Sequence, residues 1–274
     1  MNINCSIWRN PHEKDSMNPI QHPENSMRLM QGLVLAALVS SFSSLATTLN
    51  DSLTELEISE LKTLINSDKR TDKQKQRNKY RHPLETLTFF GVKENHTVVE
   101  IWPGGKGGWY RSILEPYIEG TGLYVPVRSS DDFPEPIDKV ADNSADRVLV
   151  FRAHGFMIYD NPAQAYFDSL YKMLKPGGIF GIVDHRGNEA IPQDPKGENG
   201  YVNQSHVIKL AEKAGFVLVD SAEINANAKD TKDYPKGLYS LPPSLRGSMF
   251  DSELRKQVLA IGESDRMTLK FTKK

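Results

Sequence analysis

The chain has 274 residues, with 34 Lys+Arg against 35 Asp+Glu, a formal net charge of −1, and 38% hydrophobic and 9% aromatic residues. That content supports a real core and argues against wholesale disorder. The charge balance speaks against a dedicated nucleic-acid binder, which carries a basic excess, and a mean hydropathy of −0.49 excludes a polytopic membrane protein.

In chain order, the first feature is the uncharged stretch MQGLVLAALVSSFSSLA at 30–46. Its most apolar part, Gly32 to Val39, is short for a bilayer crossing, which takes about 20 apolar residues. Arg28 precedes it, and Ser44-Leu45-Ala46 supplies the small residues a signal peptidase reads. Counted from Met27, the pattern predicts a signal peptide over 27–46, preceded by a polar, patternless segment; the alternative is a buried helix. The expected destination is the periplasm or the exterior, with no stable membrane insertion once the signal is removed. The single cysteine, Cys5, lies upstream of that point. A mature chain from Thr47 would have no thiolate chemistry and no cysteine-ligated zinc.

Residues 47–76 are expected to form a helical extension, since Leu53, Leu56, Ile58, Leu61, Leu64 and Ile65 recur at helical spacing. The basic run DKRTDKQKQRNKYRH (68–82) reads as a solvated helical face or linker, although such a run also attracts phosphate or an anionic surface. From residue 77 an α/β domain is expected to run to 274. Pro83 opens a short helix. A β-rich run, Thr97 to Trp102, is followed by PGGKGG and a helical WYRSILEPYIEG, which is the opening of an α/β unit. Leu123–Val127, Arg147–Phe151, Ile179–Val183 and Phe216–Asp220 read as further strands. Helices are expected at 162–174, stopped by Lys175-Pro176-Gly177-Gly178, and at 200–214. A loop-rich stretch spans 225–247, and Arg266–Thr272 closes the chain as an alternating strand.

The chemistry centres on Glu100 and the glycines that follow it. Glycines after a strand let a ligand approach the backbone, and the next helix offers its N-terminal N–H groups. Pro103 interrupts any dinucleotide-type G-x-G-x-x-G register, and a tight structural turn is the competing reading. No G-x-S-x-G elbow is present, which argues against a serine hydrolase. His154 follows a strand and is a candidate general base, its alternative being a backbone-satisfied structural histidine. Asp184 and His185 end the fourth strand and can reach a crevice there. No metal-ligand spacing is present. Arg152 can hold an anionic substrate or pair with an acid. Trp102 and Trp109 can wall a pocket or pack in the core.

An acid at a strand end, E-x-x-x-G-x-x-G, and a downstream LKPGG-strand-Asp resemble the pattern of class I S-adenosylmethionine-dependent methyltransferases. More closely, the chain resembles a group of uncharacterised bacterial methyltransferases. The resemblance is carried by YRHPLETLTFFGV (80–92), VVEIWPGGKGGWY (98–110), ADRVLVFRAHGFM (145–157), LKPGGIFGIVDHR (174–186), GYVNQSHVIKLAEKAGF (200–216), EINANAKDTKDYPKGLYSLPPSL (223–245) and IGESDRMTLKF (261–271). It implies a Rossmann-like α/β methyltransferase fold with a mostly parallel sheet and an antiparallel last strand. It also implies S-adenosylmethionine as cofactor and a small-molecule acceptor, with no nucleic-acid partner. Glu100, Trp102, Pro103, Gly104, Gly105, Gly107 and Tyr110 would bind the cofactor. His154, Asp184 and His185 would face the reacting groups, and Tyr80-Arg81-His82 would form a lid or pocket wall.

Two departures stand out. The second strand ends in Val127-Arg128, without the acid that holds ribose hydroxyls in such enzymes; Asp131 and Asp132 are the nearest. Only 19 residues separate Val127 from Arg147, too few for a helix, a strand and a second helix, so the usual third strand is expected to be missing. A second functional reading therefore stays open: an exported, non-catalytic ligand-binding protein that retains a degenerate methyltransferase fold.

Overall fold

The computed structural model describes residues 52–105, 107–153, 155, 163–248 and 250–274. The expected signal peptide and the candidate base His154 lie outside these residues.

The helical pattern at the start resolves into four short helices. They are α1 (Glu55–Ile65), α2 (Asp72–Lys75), α3 (Asn78–Arg81) and α4 (Pro83–Phe89). Local chemistry sets their ends. Thr54 and Glu57 form a reciprocal capping box on α1, Thr71 and Gln74 another on α2, and Pro83 occupies the first turn of α4. Then follow β1 (Thr97–Ile101), α5 (Arg111–Ile118), β2 (Leu123–Val127), β3 (Ala145–Phe151), α6 (Ala163–Met173), β4 (Leu174–His185), α7 (Gln204–Ala214), β5 (Phe216–Ala222), a 3-10 turn (Gly237–Ser240), α8 (Ser252–Ile261) and β6 (Arg266–Lys273).

The strands form one mixed sheet in the order β2-β1-β3-β4-β6-β5. The pairs β1–β2, β1–β3 and β3–β4 are parallel, whereas β6 inserts antiparallel between β4 and β5. The expected antiparallel end is therefore present. Residues 128–144, between β2 and β3, hold neither helix nor strand, and Phe133, Ile137 and Val140 tuck that connection into the core.

Alternation along each strand splits the core into two layers, because successive side chains point to opposite faces. Val99, Ile101, Val148, Val150, Phe180 and Ile182 pack with Phe167 and Leu170 of α6 and Val207 and Ala211 of α7. On the other face, Val98, Leu149 and Val183 pack with Leu61 of α1, Leu87 of α4, and Ile113, Leu114 and Tyr117 of α5. The sheet is covered by helices on both faces, as a mostly parallel sheet requires.

Two expectations are corrected, and one helix is new. Lys175-Pro176-Gly177-Gly178 does not stand apart as a stop before the strand: β4 already begins at Leu174, paired with Ala145, and the register shifts before Ile179. Helix α8 was not expected at all. The basic run is not a solvated face throughout, because Arg70 and Arg81 are buried. Among the described residues no helix is long and apolar enough to cross a membrane.

Candidate functional site

The carboxyl ends of β1, β3 and β4 lie side by side, the place where parallel α/β sheets present ligands. Two adjacent strands leave the sheet by the same device. Trp102 after β1 donates its backbone N–H to Val127 O at 2.7 Å, and Arg152 after β3 donates to Val183 O at 2.8 Å. Each thus extends its strand's pairing by one residue, and each then turns away through a left-handed backbone, with φ of 51° and 58° respectively. Left-handed non-glycine residues cost about 1–3 kcal/mol each and gather at functional sites.

In the glycine turn between β1 and α5, two glycines serve the backbone and two leave room. Gly104 has φ +80°, and a Cβ at Gly108 would sit 2.1 Å from Pro103 O, so neither tolerates a side chain. A Cβ at Gly105 or Gly107 would meet nothing within 4 Å. Pro103 is buried, while Gly105 and Gly107 are exposed. The extension reaches this turn: Trp109 Nε1 donates to Gln74 O at 2.9 Å, and Gln74 Nε2 reaches Gly107 O at 3.4 Å.

Glu100 shares the α5 face of β1 with Val98, and its carboxyl is buried. Tyr124 Oη of β2 donates to Glu100 Oε2 at 2.6 Å. Burial pushes the Glu100 carboxyl up to about 7, against the Tyr124 hydrogen bond and the nearby Arg111, which both favour the charged form. Arg111 is itself held by Glu115 through two bonds of 2.9 and 2.7 Å.

The other expected residues are distributed as follows. The Trp102 ring lies edge-on to Tyr166, which also meets Phe133 edge-on, so these rings make a wall between the turn and the β2–β3 connection. Tyr110 stacks on Phe151 with 3.6 Å between ring centroids and donates its hydroxyl to Arg81 O at 3.0 Å. Burial pushes the Tyr110 phenol up to about 12. Trp109 is buried, with the Arg70 and Arg81 guanidiniums 4.9 and 4.8 Å from its ring centroid, and so belongs to the core.

Asp184 and His185 are both buried. Asp184 Oδ1 accepts the His185 backbone N–H at 2.7 Å. Arg152 Nε lies 3.3 Å from His185 Nε2, and His185 Nδ1 lies 2.5 Å from Ser264 Oγ. A guanidinium only donates, so Nε2 is the acceptor and Nδ1 carries the proton toward Ser264. In this arrangement His185 orients Arg152.

Sequence reasoning missed the ion cluster beside this site. Glu263, just before β6, takes Arg77 Nε at 2.6 Å, Arg81 Nε at 3.1 Å and Arg266 Nη1 at 3.2 Å. Burial alone would raise the Glu263 carboxyl, but Arg81, Arg266, Arg152 and Arg77 together hold it down at about 2. Burial and these like charges lower Arg81 well below the usual guanidinium range despite Glu263, and burial lowers Arg152 to about 10. At the end of β2, Asp131 folds back to accept the Arg128 backbone N–H at 2.6 Å and also pairs with Lys139, whose ammonium caps Pro126 O at 2.7 Å. Among the described residues, no cluster of three His, Cys, Asp or Glu side chains suits a metal ion.

No protein-family model matches the chain, and no curated protein does. Among solved structures it is similar to an S-adenosylmethionine-dependent methyltransferase from Aquifex aeolicus, at 18% identity and a TM-score of 0.43, over 61% of this chain and 93% of that one. It is also similar to the [4+2]-cyclase SpnF, at 11% identity and 0.48, over 83% and 95%. A third is geranyl diphosphate C-methyltransferase from Streptomyces coelicolor, solved with S-adenosyl-L-homocysteine, at 10% identity and 0.46, over 78% and 87%.

Proposed function

We propose that the chain binds S-adenosylmethionine at the β1–α5 turn and transfers its methyl group to a small-molecule acceptor. The observation that carries this reading is the glycine turn itself, with open space at Gly105 and Gly107, following directly on the strand that carries the buried Glu100 carboxyl. Backbone N–H groups of such a turn, with the following helix N-terminus, suit the carboxylate of a methionyl group. Glu100 suits its ammonium. In this reading Glu100, Pro103 and glycines 104, 105 and 107 hold the methionyl part, and Trp102 walls the crevice. When bound, the cofactor supplies an electrophilic sulfonium methyl. The chain's own contribution is then mainly positioning and exclusion of water. His154, two residues beyond Arg152, is the candidate base. His185 holds Arg152 in place, and Asp184 fixes the His185 backbone.

Gly105→Asp tests the reading directly. A Cβ at this position meets nothing within 4 Å and needs no left-handed backbone, so the variant is expected to melt like the parent. It brings a carboxylate to the turn proposed to hold the methionyl carboxylate, and calorimetric titration should show S-adenosylmethionine binding lost. Equal affinity in parent and variant would remove this turn as the cofactor site, and no binding by a folded parent would remove the methyltransferase reading.

One observation favours the second reading, an exported binding protein without methyl transfer. At the end of β2 the nearest acids are Asp131 and Asp132, and Asp131 is already engaged by Lys139 and the Arg128 N–H. A folded parent that binds neither S-adenosylmethionine nor S-adenosylhomocysteine would promote this reading. Export by residues 27–46 goes with both readings, and fractionation of cells carrying the chain with and without that segment tests it.

A further inference from the structure

A cavity of about 190 Å³ opens between the α3–α4 turn, the 225–229 loop and the segment before β6. Its wall includes Lys79, His82, Asn225, Lys229, Glu263 and Arg266. It stands at the same end of the sheet as the glycine turn and is joined to it by a short chain of bonds. Tyr110, just past the turn, binds Arg81 O, and Arg81 binds Glu263 in the cavity wall.

The charge here is lopsided. Arg77, Arg81 and Arg266 all share the one Glu263 carboxylate. Lys79 and Lys229 add two exposed ammonium groups at the rim. Arg266 is buried, and of its five N–H groups it commits one each to Ser264 O, Tyr80 O and Glu263, leaving two to spare. In the cavity wall, Asn225 Oδ1 is buried with no hydrogen-bond partner among the described residues, and the same holds for Arg77 Nη2 and Arg81 Nη2 on the two arginines that reach the wall through Glu263. The Asn225 residue is 1% exposed and Arg81 3%. Buried polar groups are nearly always satisfied, and those that are not point to something that completes them. Donors in excess call for an oxyanion, while the Asn225 oxygen calls for a donor beside it.

We propose that this cavity binds a small molecule bearing a compact oxyanion, phosphate or carboxylate, next to a hydroxyl or amino group. Where the methyl-transfer reading holds, that molecule is the acceptor; the binding site itself does not depend on that reading. Arg266 takes the oxyanion, Lys79 and Lys229 draw it in, and Asn225 Oδ1 accepts from the neighbouring hydroxyl or amine. The electrostatic logic is that of guanidinium forks on anions.

The test is calorimetric titration of the full chain with inorganic phosphate in one arm and glycolate in the other, both in a sodium chloride background of matched ionic strength. Saturable binding in either arm is expected, and the arm that binds more tightly identifies the oxyanion. The double variant Lys79→Glu/Lys229→Glu changes only exposed side chains and should melt like the parent. Reversing two charges at the rim should weaken binding about tenfold or more. Lys229→Glu alone, in a loop, should give a smaller loss and guards against any effect of Lys79 on its helix. No saturable binding in either arm, or equal affinity in parent and variants, overturns the proposal. Titration with S-adenosylmethionine separates the two ideas. Anion binding without cofactor binding leaves this site standing and methyl transfer fallen, and the reverse result does the opposite.

Discussion

Glu263→Gln is expected to lower stability by about 3–5 kcal/mol at neutral pH, the scale found when one partner of a buried ion pair is removed. The amide keeps the shape but not the charge, and it leaves Arg77, Arg81 and Arg266 facing one another in a region where Glu263 and Arg81 are only 3% exposed each. The pH dependence gives a second readout. The folded carboxyl sits at about 2 against an ordinary value of 4.5. Its contribution is therefore fully present above pH 4.5 and is lost as pH falls toward 2. A gap of that size corresponds to about 3 kcal/mol by linkage. Denaturant melts of parent and variant should converge across that acid window and separate above it. Parallel curves, or a variant within about 1 kcal/mol of the parent at pH 7, would show that the arginines find other partners.

The same cluster shows where sequence reasoning stops. Arg81 meets Glu263 across 182 positions, and Arg77 meets it across 186. A window over the basic run shows seven cations and two acids and nothing of the carboxylate they fold onto. Arg70 is buried for a related reason. Its guanidinium bonds Ile65 O, Asn78 Oδ1 and the remote Ser112 Oγ, and it lies against the Trp109 ring. These arginines are tertiary fasteners between the opening helices and the sheet, and local pattern reads such residues as solvated.

Elements whose cause is local were legible. The strand β1 announces itself through Thr97-Val98-Val99-Glu100-Ile101, the glycines after it predict a turn, and Pro83 marks the start of α4. The alternating Arg266–Thr272 run gives the antiparallel strand, with an end shifted by one residue. Helix α8 was hidden because Val258 is its only buried residue, so it lacks the apolar stripe that periodicity detects. The signal that was present is its cap: Asp251 accepts the Leu254 N–H at 2.9 Å. At the site, the glycine turn and Glu100 could be found from spacing, whereas the Arg152–His185–Ser264 chain could not. Its members come from the ends of β3 and β4 and the approach to β6, which only the sheet order brings together.

Glu100→Gln carries the other large expectation, and it runs in the opposite direction for stability and for binding. Glu100 sits at about 7 in the folded chain against an ordinary value of 4.5. A raised folded value means that its contribution to stability is fully present below pH 4.5 and is lost as pH rises through 7. The gap corresponds to about 3 kcal/mol lost by pH 8. Glutamine cannot ionise, yet it keeps an oxygen for the Tyr124 hydroxyl. The variant should therefore match the parent near pH 4.5 and exceed its stability by up to about 3 kcal/mol at pH 8. Under the proposed function, what the parent gains for that loss is a carboxylate to pair with the cationic ligand. If the β1–α5 turn holds S-adenosylmethionine as proposed, parent affinity should climb about tenfold per pH unit up to 7 and level off above it, since binding must expel the proton. Glu100→Gln should bind weakly and without that slope. A variant no more stable than the parent at pH 8 would mean that Glu100 is not held protonated by burial. A stabilised variant that keeps full, pH-independent affinity would mean that the buried carboxyl serves the fold and not the ligand.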